Sequence, residues 1–140
     1  MRLWHTALIT ALPREQLVAQ WRELSAIAGA IQKNGTPNHI LVNFVLDYDY
    51  DHFISYAYYV REEMTKRGYR TMNSVWDKIT SLKSDYILLP LHEVYCDKMD
   101  LFYLRVCYYN LGEKYVCGGI PTIDWRPIET IFNKEIQPYE

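Results

Sequence analysis

The chain has 140 residues, 49% of them hydrophobic and 23% charged, the balance of a single globular domain that buries about two-thirds of its unfolded surface. Its net charge of −2 argues against the overall basic excess by which nucleic-acid binders are usually recognised. Three cysteines, Cys96, Cys107 and Cys117, form no CxxC pair, which argues against a disulfide framework or a zinc site.

The charge is unevenly spread. Residues 1–83 hold ten Lys/Arg against eight Asp/Glu, and residues 84–140 hold five against nine, so any basic face belongs to the N-terminal part. Aromatic residues make up 15% of the chain, with 13 Tyr, suiting a core with polar margins or a surface that stacks on a ligand. Reduced thiols fit a cytoplasmic protein. No apolar run approaches a membrane span, and the short apolar stretch of "MRLWHTALITALPREQ", followed at once by charge, does not read as a signal peptide.

Pro13 suits a first helical turn, and Leu17, Trp21, Leu24, Ala28 and Ile31 follow at helical spacing until Asn34-Gly35-Thr36-Pro37 stops the pattern. On this helix Glu23 falls on the shoulder of the buried stripe, with Gln16, Ala19 and Gln20, while Arg22 points nearly opposite. "HILVNFVL" (39–46) fits a strand or the start of a buried helix equally well. A second helix is predicted from Asp49 or Asp51 as cap, through Phe53, Ala57, Val60 and Met64, to Lys66-Arg67-Gly68. A short helix over Ser74–Lys83 would use Ser74 as cap and turn Trp76 inward. After a turn at Pro90, a helix from about Lys98 to Leu111 would end on Gly112 as C-terminal cap, although the β-branched and aromatic "FYLRVCYY" also permits a strand. From "CGGIPTIDWRPIE" onward, Gly and Pro predict an irregular or short-helical tail. The sum is an all-α fold over residues 1–140, with about four helices and irregular N- and C-terminal segments.

Motifs that would carry chemistry are mostly missing. His39, His52 and His92 lack HxxxH or HExxH spacing, so no metal site is expected. Asp47, Asp49 and Asp51 lack the Gly and distal Glu of a calcium loop and read as helix caps. Gly118-Gly119 lacks the rest of a phosphate loop, and no Ser- or Cys-centred nucleophile motif is present.

Leu17-Val18-Ala19-Gln20-Trp21-Arg22-Glu23-Leu24, with Gly29 five residues after Leu24 and basic Lys33 beyond it, resembles the "LMAEYREL" helix of the pyrimidine-dimer DNA glycosylases of the phage endonuclease V type. The spacing from the chain start to Arg22-Glu23 is also similar to theirs. "NFVLDYDYDHFISYAYYVREEMTKRGYR" is similar to their aromatic second helix, and "SDYILLPLHE" to their "DYIPHE" stretch with two extra residues. The resemblance implies an all-helical enzyme without metal or cofactor. Its N-terminal α-amine attacks the anomeric carbon of damaged double-stranded DNA, forms a Schiff base and goes on to β-elimination, on pyrimidine dimers. It makes Met1 and Glu23 the catalytic pair and Arg2, Arg22 and Lys33 the DNA-binding residues.

Some positions depart from the family pattern. The second residue is Arg2 rather than a small one, so Met1 itself would supply the amine and Arg2 would take the part of the family's following Arg. The family's helix His and second helix Arg align with Gln16 and Ala26, and Trp125-Arg126 and Lys114-Tyr115 are the candidates for its C-terminal aromatic-basic cluster. The chemistry has a physical basis of its own. An α-amine ordinarily titrates near 7.7–8.0 and a Lys near 10.4, so at neutral pH far more of a chain terminus is a free nucleophile. The alternative reading is a protein of the same fold that binds nucleic acid or another partner without catalysis.

Overall fold

The computed structural model of the chain describes residues 1–136. It is all-helical, with no strand among the described residues. Residues 1–5 run extended and lead into a 3-10 turn, Thr6–Ala11, whose Leu8 and Ile9 are buried. Helix α1 (Arg14–Asn34) starts after Pro13 and buries Leu17, Gln20, Trp21, Leu24, Ile27 and Ala28. Gly35 ends it at φ 74°, its N–H donating to the Ile31 carbonyl at 2.8 Å; a side chain at that left-handed position would be strained.

The ambiguous run at 39–46 becomes neither strand nor α-helix. The His39 N–H donates to Asn43 Oδ1 (2.9 Å) and the Leu41 N–H to His39 Nδ1 (3.2 Å). Local side chains thus take the backbone groups that a regular element would need. A turn and a 3-10 segment, Asn43–Asp47, follow, with Val42 and Val45 buried.

Helix α2 (Tyr50–Lys66) is capped by Asp49, whose carboxylate accepts from the Asp51 N–H at 2.9 Å, and it buries Phe53, Ala57, Val60 and Met64 as the pattern predicts. Ile54 and Tyr56 are fully buried as well, so α2 is covered on more than one stripe. Helix α3 (Asn73–Thr80) begins one residue before Ser74, with Met72 at the cap position and no side-chain cap. Ser74 is therefore inside the helix rather than its cap. Trp76 is half-buried, edge-on to Tyr86, with the Arg61 guanidinium over its ring.

The segment before the next helix lies along α2 and uses α2 side chains as its hydrogen-bond partners. Leu89 N–H donates to Ser55 Oγ (2.8 Å), Ile87 N–H to Asp51 Oδ1 (3.2 Å) and Tyr95 N–H to His52 Nδ1 (3.0 Å), while Tyr59 donates to the Leu89 carbonyl (2.8 Å). Together with a short 3-10 turn at Leu91–Glu93, this supplies backbone pairing without an α-helix or a sheet.

Helix α4 spans Leu101–Val116, capped by Asp100, which accepts from the Tyr103 N–H at 2.8 Å. Gly112 is not its terminus. It sits inside the helix, where a Cβ would lie 3.3 Å from the Trp125 ring, and the helix instead ends at Cys117 and Gly118 (φ 86°). The glycine serves a close approach between helices, which a chain-order reading cannot distinguish from a stop. The tail is longer and more regular than predicted: α5 runs Thr122–Ile136 through Pro127. Trp125, Ile128, Phe132 and Ile136 form its buried stripe. Tyr108 of α4 stacks on Phe132 at 3.8 Å between centroids, and Tyr115 on Trp125 at 4.9 Å.

Two histidines are held neutral by the fold. Burial is the main cause pulling both His5 and His52 below the ordinary imidazole value, against the opposing pull of Asp100 and Glu135 on His5 and of Asp49, Asp51 and Glu93 on His52. Each also uses Nδ1 as an acceptor, from Ala7 N–H and Tyr95 N–H at 3.0 Å. The unfolded chain therefore takes up protons at higher pH than the folded one. Stability from these sites is complete above about pH 6.5 and is lost as pH falls below it toward the lowered folded values. Urea midpoints measured from about pH 7.5 down to about pH 5 should fall, and His52→Gln should flatten the slope.

Candidate active site at the chain terminus

The first residues are fixed by side chains from three helices. Gln20 of α1, completely buried, accepts from the Trp4 N–H with Oε1 (2.9 Å) and donates to the Arg2 carbonyl with Nε2 (3.0 Å). Tyr56 of α2 donates to the Trp4 carbonyl at 2.5 Å and lies 3.0 Å from Gln20 Oε1. Tyr103 of α4 donates to the Leu3 carbonyl. Burial raises the pKa of both phenols, so each remains a protonated donor at any physiological pH. The three carbonyls from Arg2 to Trp4 and the Trp4 N–H thus find partners inside the protein, and these bonds hold the segment in place.

Met1, Arg2, Trp4 and Glu23 line one cleft of about 220 Å³, closed by Leu41 and by Asn110 and Lys114 of α4. Glu23 is half-buried on the shoulder of α1. One carboxylate oxygen accepts from Gln20 Nε2 at 3.3 Å, and no direct ion pair joins the Met1 amine to Glu23 among the described residues. Arg2 is half-buried, its guanidinium 5.7 Å from the Trp4 ring centroid and beside the Tyr103 hydroxyl and the Cys107 thiol. Burial raises the Cys107 pKa, so the thiol stays neutral.

The expected site residues therefore divide. Met1, Arg2 and Glu23 come together. Arg22 does not join them: it lines a separate groove of about 440 Å³ with Arg14, Glu15 and Val18 on the outer side of α1. Lys33 is exposed in the last turn of α1, about 15 Å along the axis from Glu23 at the helical rise per residue. Arg22, Ala26, Gly29 and Lys33 share one helix face by their spacing. At Gly29 that face receives Lys78 of α3, whose Nζ lies 3.0 Å from where a Cβ would stand and contacts Ser25 Oγ at 3.3 Å.

Lys114 enters the sequence reading only as a candidate for the C-terminal aromatic-basic cluster and Gln20 only as a shoulder residue, whereas Tyr56, Tyr103, Asn110 and Lys78 do not enter it as site residues. Gln20 carried a signal, being a polar residue three positions before Glu23 at the edge of an apolar stripe. The others depend on packing between helices distant in sequence and had none. Among the described residues no group of three His, Cys, Asp or Glu is arranged to hold a metal ion, and no helix is long and apolar enough to cross a membrane.

An all-helical fold that presents its N-terminus and a carboxylate in one cleft is the class of site this geometry defines. The family model for pyrimidine dimer DNA glycosylase matches residues 1–77, more than half of the chain, and the protein belongs to that family. Membership implies a DNA substrate. The match covers α1 and α2 and most of α3, whereas Asn110 and Lys114, which close the cleft, lie beyond it. No match to the chain was found among curated proteins or among solved structures.

Proposed function

We propose that the protein is a DNA glycosylase with abasic-site lyase activity on damaged double-stranded DNA, with pyrimidine dimers as the lesion its family points to. The Met1 α-amine is the nucleophile and Glu23 moves the protons. The observation that carries this reading is the shared cleft: a terminus clamped through buried backbone bonds, next to a half-buried carboxylate, with Arg2 and Lys114 on its walls.

The amine lone pair bonds to C1′ of the deoxyribose as the C1′–N bond breaks, and the base leaves with the electron pair and gains a proton. Opening of the sugar ring protonates O4′ and leaves a C1′ iminium on the terminus. Glu23 takes a proton from C2′, and the electrons shift to expel the 3′ phosphate oxygen; water then releases the terminus. The half-buried carboxylate is tied on one oxygen by Gln20, and its other oxygen has no protein donor among the described residues, which suits this transfer. Arg2 and Lys114 on the cleft walls would meet strand phosphates, and Arg22, Lys78 and Lys33 would offer a second row of cations along α1.

Borohydride added during reaction with an abasic-site duplex should trap a covalent complex, since it reduces the iminium to a stable amine. Peptide mass analysis should place the adduct on Met1. An adduct on Lys114, the other amine in the cleft, would overturn the terminal-amine mechanism. No adduct at all would leave a DNA-binding protein without catalysis.

A further inference from the structure

We propose that Gln20 is the positioning residue of this site, setting the Met1 amine and the Glu23 carboxylate in register through a single buried amide. The inference rests on the terminal-amine reading above. The amide's orientation is fixed by chemistry, because the Trp4 N–H can only donate and the atom 2.9 Å from it must be oxygen. The NH2 group is thereby directed to the Arg2 carbonyl at 3.0 Å and the Glu23 carboxylate at 3.3 Å. Oε1 also lies 3.0 Å from the Tyr56 hydroxyl, whose single proton goes to the Trp4 carbonyl, so both N–H donors of the amide are used while Oε1 accepts from the Trp4 N–H.

A glutamine that served only to satisfy the buried terminal backbone would have no need of Glu23, whose half-exposed carboxylate water can solvate. Gln20 instead spends one N–H on that carboxylate and the other on the carbonyl one residue after the amine. The two reacting groups are thus referred to one rigid side chain with no solvent exposure. Preorganised sites require placement to within about 0.5 Å, and in low dielectric these bonds resist rearrangement.

The test uses the full-length protein with Gln20→Met, which keeps the side chain's length and removes its hydrogen bonds. It also uses Gln20→Glu, which keeps an acceptor for the Trp4 N–H and leaves at most one proton where the amide gave two, to the Arg2 carbonyl and to Glu23. A control, Ile79→Ala, loosens the buried core of α3 outside the cleft. Melting temperature, affinity for an abasic-site duplex and single-turnover borohydride trapping rate are measured for each. Both Gln20 variants should trap about 100-fold more slowly, as expected of a misplacement near 1 Å, with duplex affinity within a factor of about three. Ile79→Ala should lose melting temperature and keep its trapping rate. Should Gln20→Met fail to fold, Gln20→Glu decides. Trapping at the unsubstituted rate in the folded Gln20 variants, or a slowing that Ile79→Ala reproduces at equal melting loss, overturns the role of Gln20 alone. Absence of any adduct with the unsubstituted protein overturns the terminal-amine reading and this role together.

Discussion

Glu23→Gln should slow strand cleavage at an abasic site by about 10²- to 10⁴-fold, the range that a positioned general base contributes, while the protein stays folded. The replacement is nearly isosteric, and its amide oxygen can still accept from Gln20 Nε2, the hydrogen-bond partner of Glu23 among the described residues. Because the residue is half-buried at the edge of the stripe, the change in stability should stay within about 1 kcal/mol. What disappears is the ability to accept the C2′ proton. Single-turnover cleavage of an abasic duplex, read beside a urea melt, checks both halves. Cleavage at the unsubstituted rate would remove Glu23 from the mechanism.

Adding two residues in front of Met1 should abolish borohydride trapping to the same degree or more. The backbone is anchored from Arg2 onward by Gln20, Tyr103 and Tyr56, so the added residues cannot be absorbed by sliding the segment inward. They carry the amine up to about 7 Å away at the reach of an extended chain, well beyond bonding distance to C1′ in a cleft of about 220 Å³. Binding to duplex DNA should persist and weaken steeply with added salt, since the phosphate contacts proposed for Arg22, Lys78 and Lys33 would not depend on the terminus. Retained trapping would show that another amine forms the imine.

How far the sequence predicts this arrangement depends on how local each feature is. Helix α1 was fully legible, because Leu17, Trp21, Leu24 and Ala28 mark its buried stripe and Gly35 its stop. That helix also sets Glu23 on the shoulder. Helix α2 was legible for the same reasons, with Asp49 as a local cap. The tail was misread although Trp125, Ile128, Phe132 and Ile136 are spaced as a stripe. Pro127 outweighed them, yet within α5 the carbonyl it leaves unpaired is that of Ile123, at a residue exposed to water. Gly112 was taken as a stop because its actual reason, the ring of Trp125 against α4, lies thirteen residues away on another helix.

The site divides along the same line. Met1, Arg2 and Glu23 are grouped by the family resemblance that the α1 motif carries, and the structure sets all three on one cleft. The wall formed by Asn110 and Lys114 could not be grouped with them in this way, since nothing short of the packed bundle sets α4 opposite α1. Arg22 and Glu23, adjacent in sequence, open onto different grooves, as 100° of helical rotation requires.

The hydrogen bonds that hold the first four residues span 16, 18, 52 and 100 positions of sequence. On the ribosome, the residues made first therefore wait for a partner made among the last. At typical elongation rates of about 5–20 residues per second, roughly 5–20 s pass between synthesis of Leu3 and of the Tyr103 that accommodates it. During that interval the terminus is a loose end, open to amino-terminal processing and unable to hold a reactive geometry. The first residues are fully held only when α4 has been made, so a truncated nascent chain that contains the whole family match, residues 1–77, would lack Tyr103, Asn110 and Lys114 around them.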